Sequence, residues 1–128
     1  MKIQFFTSNS SQTKEAGKLL AAEILKTKSG KKAFVIGLKG DLGSGKTTFL
    51  QGLAKGLGIK NKILSPTFII IRRTGDFYHI DCYRIQKPQE MLALGFKKLI
   101  AGSKNIIAVE WADRIRKIMP ARTIWVEF

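Results

Sequence analysis

Cysteine, proline and histidine are scarce in this sequence, and so are acidic residues. The 128 residues include one cysteine, three prolines and one histidine, and nine acidic side chains stand against 23 lysines and arginines. A lone Cys82 excludes an internal disulfide, which favours a reducing compartment. The only histidine, His79, lies three residues away along an expected strand, and no second candidate base is apparent. We therefore interpret Cys82 as a packing residue rather than a catalytic thiol.

Long apolar runs are also absent. No run approaches the length of a membrane-spanning helix, and the start of the chain, Met1 to Phe6, is too short and too quickly polar for a signal peptide. A chain of 128 residues that is 45% hydrophobic can bury one compact core but is too short for two ordinary domains. We expect a single domain over residues 1–128, soluble and cytoplasmic, with no membrane partner.

The shortage of acids leaves a formal net charge of +14. Such a surface favours polyanionic partners such as RNA or acidic proteins. Lysines and arginines are nevertheless scattered from Lys2 to Arg122, with no run longer than two. A dispersed distribution is equally typical of a generally basic surface, so charge alone leaves a nucleic-acid role open.

One motif is complete. Residues 40–47, GDLGSGKT, match the phosphate-binding loop pattern G-x-x-x-x-G-K-[ST] at every position. An apolar run from Ala33 to Leu38 predicts a buried strand before it, and apolar residues at helical spacing predict a helix after it that ends near Gly58. In that setting backbone N–H groups and the helix N-terminus bind phosphate, Lys46 reaches the β- and γ-phosphates, and the Thr47 hydroxyl ligates magnesium. An ordinary glycine-rich turn is the disfavoured alternative.

The remaining pattern alternates strands and helices. A hairpin turn is expected at 74–76, which makes the sheet mixed rather than purely parallel. Pro88 suits the first turn of a helix, Gly95 interrupts it, and Pro120 ends a later one. Predicted strands cover 2–6, 68–73, 77–81, 106–109 and 122–128, and predicted helices cover 12–26, 88–94, 96–100 and 112–119.

Two apolar strands end in a carboxylate, at Asp81 and at Glu110. The carboxyl ends of strands form the edge where an open α/β sheet binds its ligand, so both acids are candidates to hold magnesium and position water if their strands neighbour the loop strand. The alternative for each is a strand-end cap or a surface ion pair.

Three other residues are weaker candidates. Thr67, in a loop after Pro66, could meet a γ-phosphate or simply follow a turn. His79 would share a sheet face with Asp81 in a regular strand, although a packed or surface histidine is the more common case. Trp111 could stack near a nucleotide or fill the core, and the sequence favours the core. Asn61-Lys62 is not followed by the aspartate of a guanine-reading signature, which favours adenine.

Five motifs, taken together and in order, resemble the bacterial TsaE (YjeE) family: GDLGSGKTT at 40–48, SPTF at 65–68, YHIDCYR at 78–84, LGF at 94–96 and VEW at 109–111. The resemblance implies an α/β, three-layer P-loop NTPase fold with a mixed, mainly parallel central sheet that includes a β-hairpin. It implies binding of ATP and Mg2+ and slow ATP hydrolysis by the isolated protein. It also implies a part in threonylcarbamoyl modification of adenosine 37 (t6A37) in tRNAs. The implied partners are TsaD and TsaB, and tRNA is reached only through that complex.

The resemblance also assigns roles to residues. Asp81 and Glu110 would be catalytic, with Asp81 supporting hydrolysis, and Thr47 and Glu110 would ligate magnesium. Thr67 would lie in a nucleotide-responsive loop, Trp111 near the nucleotide, and the segment before the first helix, around Ser11, near adenine. The implied nucleotide-binding residues are Gly40, Asp41, Leu42, Gly43, Ser44, Gly45, Lys46, Thr47, Thr48, Thr67, Trp111 and Ser11.

Two alternative functions remain open at this point. A small-molecule kinase shares the loop, but kinases usually carry a lid with clustered arginines, and only Arg72-Arg73 and the pair Arg114 and Arg116 are present here. A nucleotide-gated RNA-binding module would instead use the basic surface as its functional part. Such a module predicts tight binding of tRNA by the isolated protein, weakening steeply with salt.

Overall fold

A computed structural model describes residues 2–4, 9–27, 32–40, 45–60 and 71–128, with only the backbone described for 2–4. Several sequence predictions therefore lie outside the described residues. They are the end of the first strand at 5–6, the start of the strand at 68–70, and the candidate site residues Asp41, Leu42, Gly43, Ser44 and Thr67.

Strands and helices alternate as the sequence predicts. The strands are β1 (Lys2–Gln4), β2 (Phe34–Lys39), β3 (Ile71–Thr74), β4 (Phe77–Asp81), β5 (Ile106–Glu110) and β6 (Ile124–Glu127). The helices are α1 (Ser10–Thr27), α2 (Lys46–Gly56), α3 (Pro88–Ala93), α4 (Phe96–Ala101) and a 3-10 helix (Ala112–Ile118). Among the described helices, none combines the length and hydropathy that crossing a membrane requires.

The six strands form one sheet in the order β1-β6-β2-β5-β4-β3. Every pairing among the described strands is parallel except that of β3 with β4, which form a hairpin around Gly75 and Asp76. The predicted mixed, mainly parallel sheet with a hairpin is therefore confirmed. The strand that leads into the phosphate-loop motif, β2, lies inside the sheet, between β6 and β5.

Two apolar cores, one on each face of the sheet, give the molecule three layers. Successive residues of a strand point to opposite faces, so Ile36 and Leu38 of β2 pack with α1 and α2, while Val35 packs with α3, α4 and the 3-10 helix. On β5, Ala108 and Val109 divide between the same two cores. This alternation decides which polar side chains at the strand ends lie on the face of the sheet that α1 and α2 cover.

Glycines bring α1 and α2 into backbone contact. A Cβ built at Gly52 of α2 would overlap the carbonyl oxygen of Lys14, and one built at Gly17 of α1 would overlap the carbonyl oxygen of Phe49. Only hydrogen fits in either gap. The sequence predicted α1 as an amphipathic packing helix, and this contact places its first turns beside the start of α2.

The helix predicted at 112–119 is a 3-10 helix, with non-helical angles at Ile115 (φ −120°, ψ 25°). Its apolar residues Ala112, Ile115 and Ile118 recur every third position and pack on the same core. The segment consists of two short 3-10 stretches joined by a kink at Ile115, and apolar residues of both stretches contact that core. The prediction of a helix was right, and the structure adds its type and the kink.

Candidate functional site

The start of α2 follows directly on Gly45, whose φ of 97° lies in the left-handed region that favours glycine. The carbonyl of Gly45 accepts a hydrogen bond from the N–H of Phe49, which closes the first helical turn. The next residue, Lys46, is only 5% exposed, and its ammonium donates a hydrogen bond to the carbonyl of Gly40. Lys46 therefore ties the start of α2 to the residue that follows β2.

Two carboxylates lie at the ends of strands on one side of β2: Glu110 on β5, which pairs with β2, and Asp81 on β4, which pairs with β5. Glu110 of β5 aligns with Leu38 of β2 on one side and with Asp81 of β4 on the other. Because Leu38 and Phe77 belong to the core under α1 and α2, strand alternation places Glu110 and Asp81 on that same face. The condition set by the sequence, that each acid's strand neighbours the loop strand, is met by β5 and so by Glu110. It is not met by β4, which pairs with β5, so Asp81 lies one strand further from β2.

His79 and Glu110 form a buried pair. Nε2 of His79 lies 2.7 Å from Oε2 of Glu110, and the two side chains are only 2% and 3% exposed. The sequence prediction that His79 shares a face with Asp81 agrees with the alternation along β4. The more common case, a packed histidine, also holds, but its partner is one of the two candidate acids.

Asp81 is oriented by its own backbone turn. Its Oδ1 accepts a hydrogen bond of 2.9 Å from the N–H of Tyr83. Burial raises the pKa of Asp81 above its usual range, and the negative charge of Glu110 adds to this rise. The bond from Tyr83 and the positive charge of Lys46 act in the opposite direction. Asp81 is thus within electrostatic reach of both Glu110 and Lys46.

Trp111 lies in a left-handed turn after β5, and its ring contacts the start of α2. It is the one described non-glycine residue with a positive φ, at 56°, and its ring centroid lies 4.2 Å from Nζ of Lys46. The ring of Tyr83 lies 5.2 Å away, and the guanidinium of Arg114 stands 5.4 Å from Trp111 and 5.6 Å from Tyr83. Trp111 also packs on the core with α3 and α4. The interpretation as a core residue, which the sequence favoured, is confirmed, and the ring also touches Lys46. A place near the nucleotide stays a prediction.

The other candidates divide into two groups. Thr47 and Thr48 are half-buried in the first turn of α2. Ser11, which was expected before the first helix, is exposed in the first turn of α1, because that helix begins at Ser10. Near Ser11, the Cγ2 of Thr13 lies 3.5 Å from a Cβ built at Gly45, so the first turn of α1 borders the start of α2. Asp41 to Ser44 and Thr67 lie outside the described residues.

Cys82 is fully buried beside the site. Burial, with the negative charge of Asp81 as a smaller cause, raises the pKa of its thiol to about 12. A thiol in this state is a poor nucleophile, because the thiolate is the reactive form. Its burial supports the interpretation of Cys82 as a packing residue.

The sequence model of one family, described as "Threonylcarbamoyl adenosine biosynthesis protein TsaE", matches residues 7–128. The chain belongs to the TsaE family. A TsaE protein of Bacillus subtilis is 37% identical over 98% of this chain and 76% of its own length. One from a Nostoc species is 46% identical over 63% of this chain and 54% of its own length. One from Rickettsia felis is 36% identical over 88% of this chain and 64% of its own length.

A solved structure agrees with this assignment. The crystal structure of YdiB from Bacillus subtilis has a TM-score of 0.64 and 36% sequence identity to this chain, covering 89% of this chain and 67% of that one. The resemblance seen in the sequence motifs is therefore confirmed at the level of family and fold. The TsaE relatives named above are called tRNA threonylcarbamoyladenosine biosynthesis proteins.

Sequence reasoning missed three contacts of this TsaE site. It foresaw neither the bond between His79 and Glu110 nor the stacking of Lys46 on Trp111, and it gave no role to Arg114. A signal existed for the first, because His79 precedes Asp81 by two residues and so shares its face. The other two depend on the left-handed turn at Trp111, which no sequence pattern predicts.

Proposed function

We propose that this chain is an ATP-binding, Mg2+-dependent ATPase subunit required for threonylcarbamoyl modification of adenosine 37 in tRNAs, acting with TsaB and TsaD. One observation carries the proposal. In a chain of the TsaE family, Lys46 begins the helix that follows the phosphate-loop motif, and two acids end strands at the same edge of the sheet. Glu110 aligns with Leu38 of the strand before the motif, and Asp81 aligns with Glu110.

The start of α2 fits a phosphate. A helix N-terminus offers unpaired N–H groups and partial positive charge, and the left-handed Gly45 lets the chain enter the helix without a clash from Cβ. Lys46 is already placed at that end with its charge held by a backbone carbonyl and an aromatic ring. On phosphate binding its ammonium would exchange the carbonyl of Gly40 for phosphate oxygens.

The donor set fits magnesium. Glu110 offers a carboxylate and Thr47 a hydroxyl, and oxygen ligands are those that Mg2+ prefers. Across the described ranges no three His, Cys, Asp or Glu side chains gather into a metal cage. Nucleotide-bound Mg2+ is usually held by one or two protein oxygens together with phosphates and water, so Thr47 and Glu110 would suffice. When bound, the ion would neutralise charge on the phosphates.

Hydrolysis would use Asp81. Its carboxylate accepts a hydrogen bond from the N–H of Tyr83, which would hold it in place to orient the attacking water. Slow ATP turnover by the isolated protein suits an ATPase whose hydrolysis serves to reset a complex with its partners. In the proposed cycle, hydrolysis resets the complex with TsaB and TsaD rather than forming the modified nucleoside, and tRNA is recognised indirectly, through that complex.

Calorimetry tests the site. Titration of Mg-ATP into the wild-type protein should release heat, and Lys46→Ala should abolish it. Asp81→Ala and Glu110→Ala should each leave some binding and lose turnover, because the backbone and Lys46 still hold phosphate. Lys55→Ala, an exposed lysine of the same helix, is the matched control and should behave as wild type. Retained hydrolysis in both acid variants would contradict these roles, and the absence of heat would contradict the proposal itself.

Co-purification tests the partners. TsaB and TsaD should be retained by the protein with ATP and be lost or weakened without it. The two alternatives make different predictions. A kinase would transfer phosphate to an alcohol in preference to water, and an RNA-binding module would bind tRNA tightly with no partner present, weakening steeply with salt.

A further inference from the structure

The bond between His79 and Glu110 follows from strand register. His79 aligns with Ala108 of β5, and Glu110 lies two residues further along that strand on the same face. Diagonal neighbours on a sheet are close enough for long side chains to touch. The imidazole and the glutamate therefore meet over the sheet, and the 2.7 Å separation of Nε2 and Oε2 is typical of a hydrogen bond to a charged acceptor.

Burial makes this bond consequential for Glu110. Both side chains are almost completely removed from water, and a carboxylate in such a place is costly unless hydrogen bonds stabilise its charge. Nε2 of His79 is the donor that an ionised Glu110 needs. Nδ1 of the same ring is buried and has no partner within the part of the chain that the structure describes. An unpaired acceptor is cheaper than an unpaired N–H, so the proton belongs on Nε2.

We propose that His79 is a positioning residue: its Nε2–H holds one oxygen of Glu110 and thereby aims the other, Oε1, at the Mg2+ of the bound nucleotide. The inference rests on the proposed function, because it takes Glu110 as a ligand of that ion. Removal of a group that orients a metal-ligating carboxylate typically lowers metal affinity or activity by 10- to 100-fold. A purely structural role would instead lower stability and leave metal affinity unchanged.

Nuclear magnetic resonance tests the bond without any substitution. His79 is the only histidine of the chain, so protein made without a histidine tag gives a single pair of imidazole nitrogen signals. We expect a protonated Nε2 with a slowly exchanging proton, and a shift of that signal in Glu110→Gln. A proton on Nδ1 alone would overturn the proposal, because Nε2 could then not donate to Glu110.

Metal affinity tests the role. Mn2+, a paramagnetic substitute for Mg2+, is titrated into protein saturated with a non-hydrolysable ATP analogue, and free Mn2+ is followed by electron paramagnetic resonance. The amide nitrogen of a glutamine can lie where Nε2 lies, whereas that of an asparagine lies near Nδ1 and does not reach Glu110. His79→Gln should therefore keep the wild-type Mn2+ affinity, and His79→Asn and His79→Leu should weaken it about 10- to 100-fold, with metal-free nucleotide affinity unchanged.

A control separates positioning from stability. Phe77→Leu removes buried volume from the same strand and the same face, so it should lower the free energy of unfolding without changing Mn2+ affinity. If His79→Leu does not fold, the comparison of His79→Gln with His79→Asn decides. Wild-type Mn2+ affinity in folded His79→Asn or His79→Leu would overturn the positioning role and leave the proposed function standing. If the wild-type protein takes up no Mn2+ with nucleotide, the proposed function fails instead.

Discussion

Lys46 is held in place by contacts that include a backbone carbonyl and an aromatic ring. A buried ammonium is costly unless its charge is compensated. The Gly40 carbonyl accepts a hydrogen bond from it, and the Trp111 ring presents its electron-rich face at 4.2 Å. These contacts keep the side chain at the helix end, where phosphate would meet it, rather than in solvent. Trp111 thus helps to hold the Lys46 side chain in place, in addition to packing on the core.

Cys82 provides a test of burial at this edge of the sheet. Its thiol is fully buried, and its raised pKa leaves almost no thiolate at neutral pH. In native protein at pH 8, we expect a disulfide reagent such as Ellman's to react with Cys82 far more slowly than with a free thiol. In concentrated urea the reaction should be fast, because exposure returns the thiol to an ordinary pKa.

The measurement is the absorbance of the released thiolate over time, with free glutathione as the reference. Since the chain has one cysteine, the amplitude in urea calibrates the native reaction. Rapid reaction in native protein would mean that Cys82 is accessible, and its interpretation as packing would then be wrong.

At the scale of elements, the contact between α1 and α2 depends on having no side chain at Gly52. Helix propensity alone favours alanine over glycine by about 1 kcal/mol inside a helix. At Gly52, however, a Cβ would overlap the main-chain oxygen of Lys14, which cannot move without displacing α1. The steric term therefore has the opposite sign to propensity and should be the larger of the two.

We expect Gly52→Ala to lower the free energy of unfolding by about 1–3 kcal/mol, as overpacked cores commonly do. Urea denaturation followed by circular dichroism measures the change. Lys55→Ala, at an exposed position of the same helix, controls for a side-chain change away from α1 and should stay close to wild type. A Gly52→Ala protein more stable than wild type would show that α1 and α2 are further apart than described.

At the scale of the whole molecule, the positive charge is spread over both helical layers. Three lysines lie on α1 and three basic residues on the 3-10 helix, on opposite sides of the sheet: Lys14, Lys18, Lys26, Arg114, Arg116 and Lys117. A charge of +14 distributed in this way attracts any polyanion without orienting it. It does not by itself read an RNA sequence or shape.

We therefore expect the isolated protein to bind tRNA only weakly at physiological salt, and no more tightly than an unrelated RNA of equal length. Fluorescence anisotropy at several salt concentrations should show the logarithm of the binding constant falling linearly with the logarithm of salt, since phosphate contacts release counterions. A preference for tRNA that persists at physiological salt would instead favour the RNA-binding alternative.

Short-range features were readable from the sequence. The phosphate-loop motif, the hairpin turn near Gly75, the helix start at Pro88 and the apolar strands each depend on residues close together in the chain, where sterics and periodicity act. The family could be named for the same reason, because its motifs are local. The chain alone also showed that two strands end in acids.

Only the tertiary structure decided that those acids meet. The strand order places β5 between β2 and β4, so Glu110 stands between Leu38 and Asp81, and His79 reaches Glu110 across 31 positions of the chain. Two neighbouring parallel strands are joined by a long crossover connection, so they are far apart in the chain. The sequence of each strand by itself does not indicate which strand it pairs with. Which side chains share an edge is therefore set by packing of the whole sheet, and with it the arrangement of Lys46, Asp81 and Glu110.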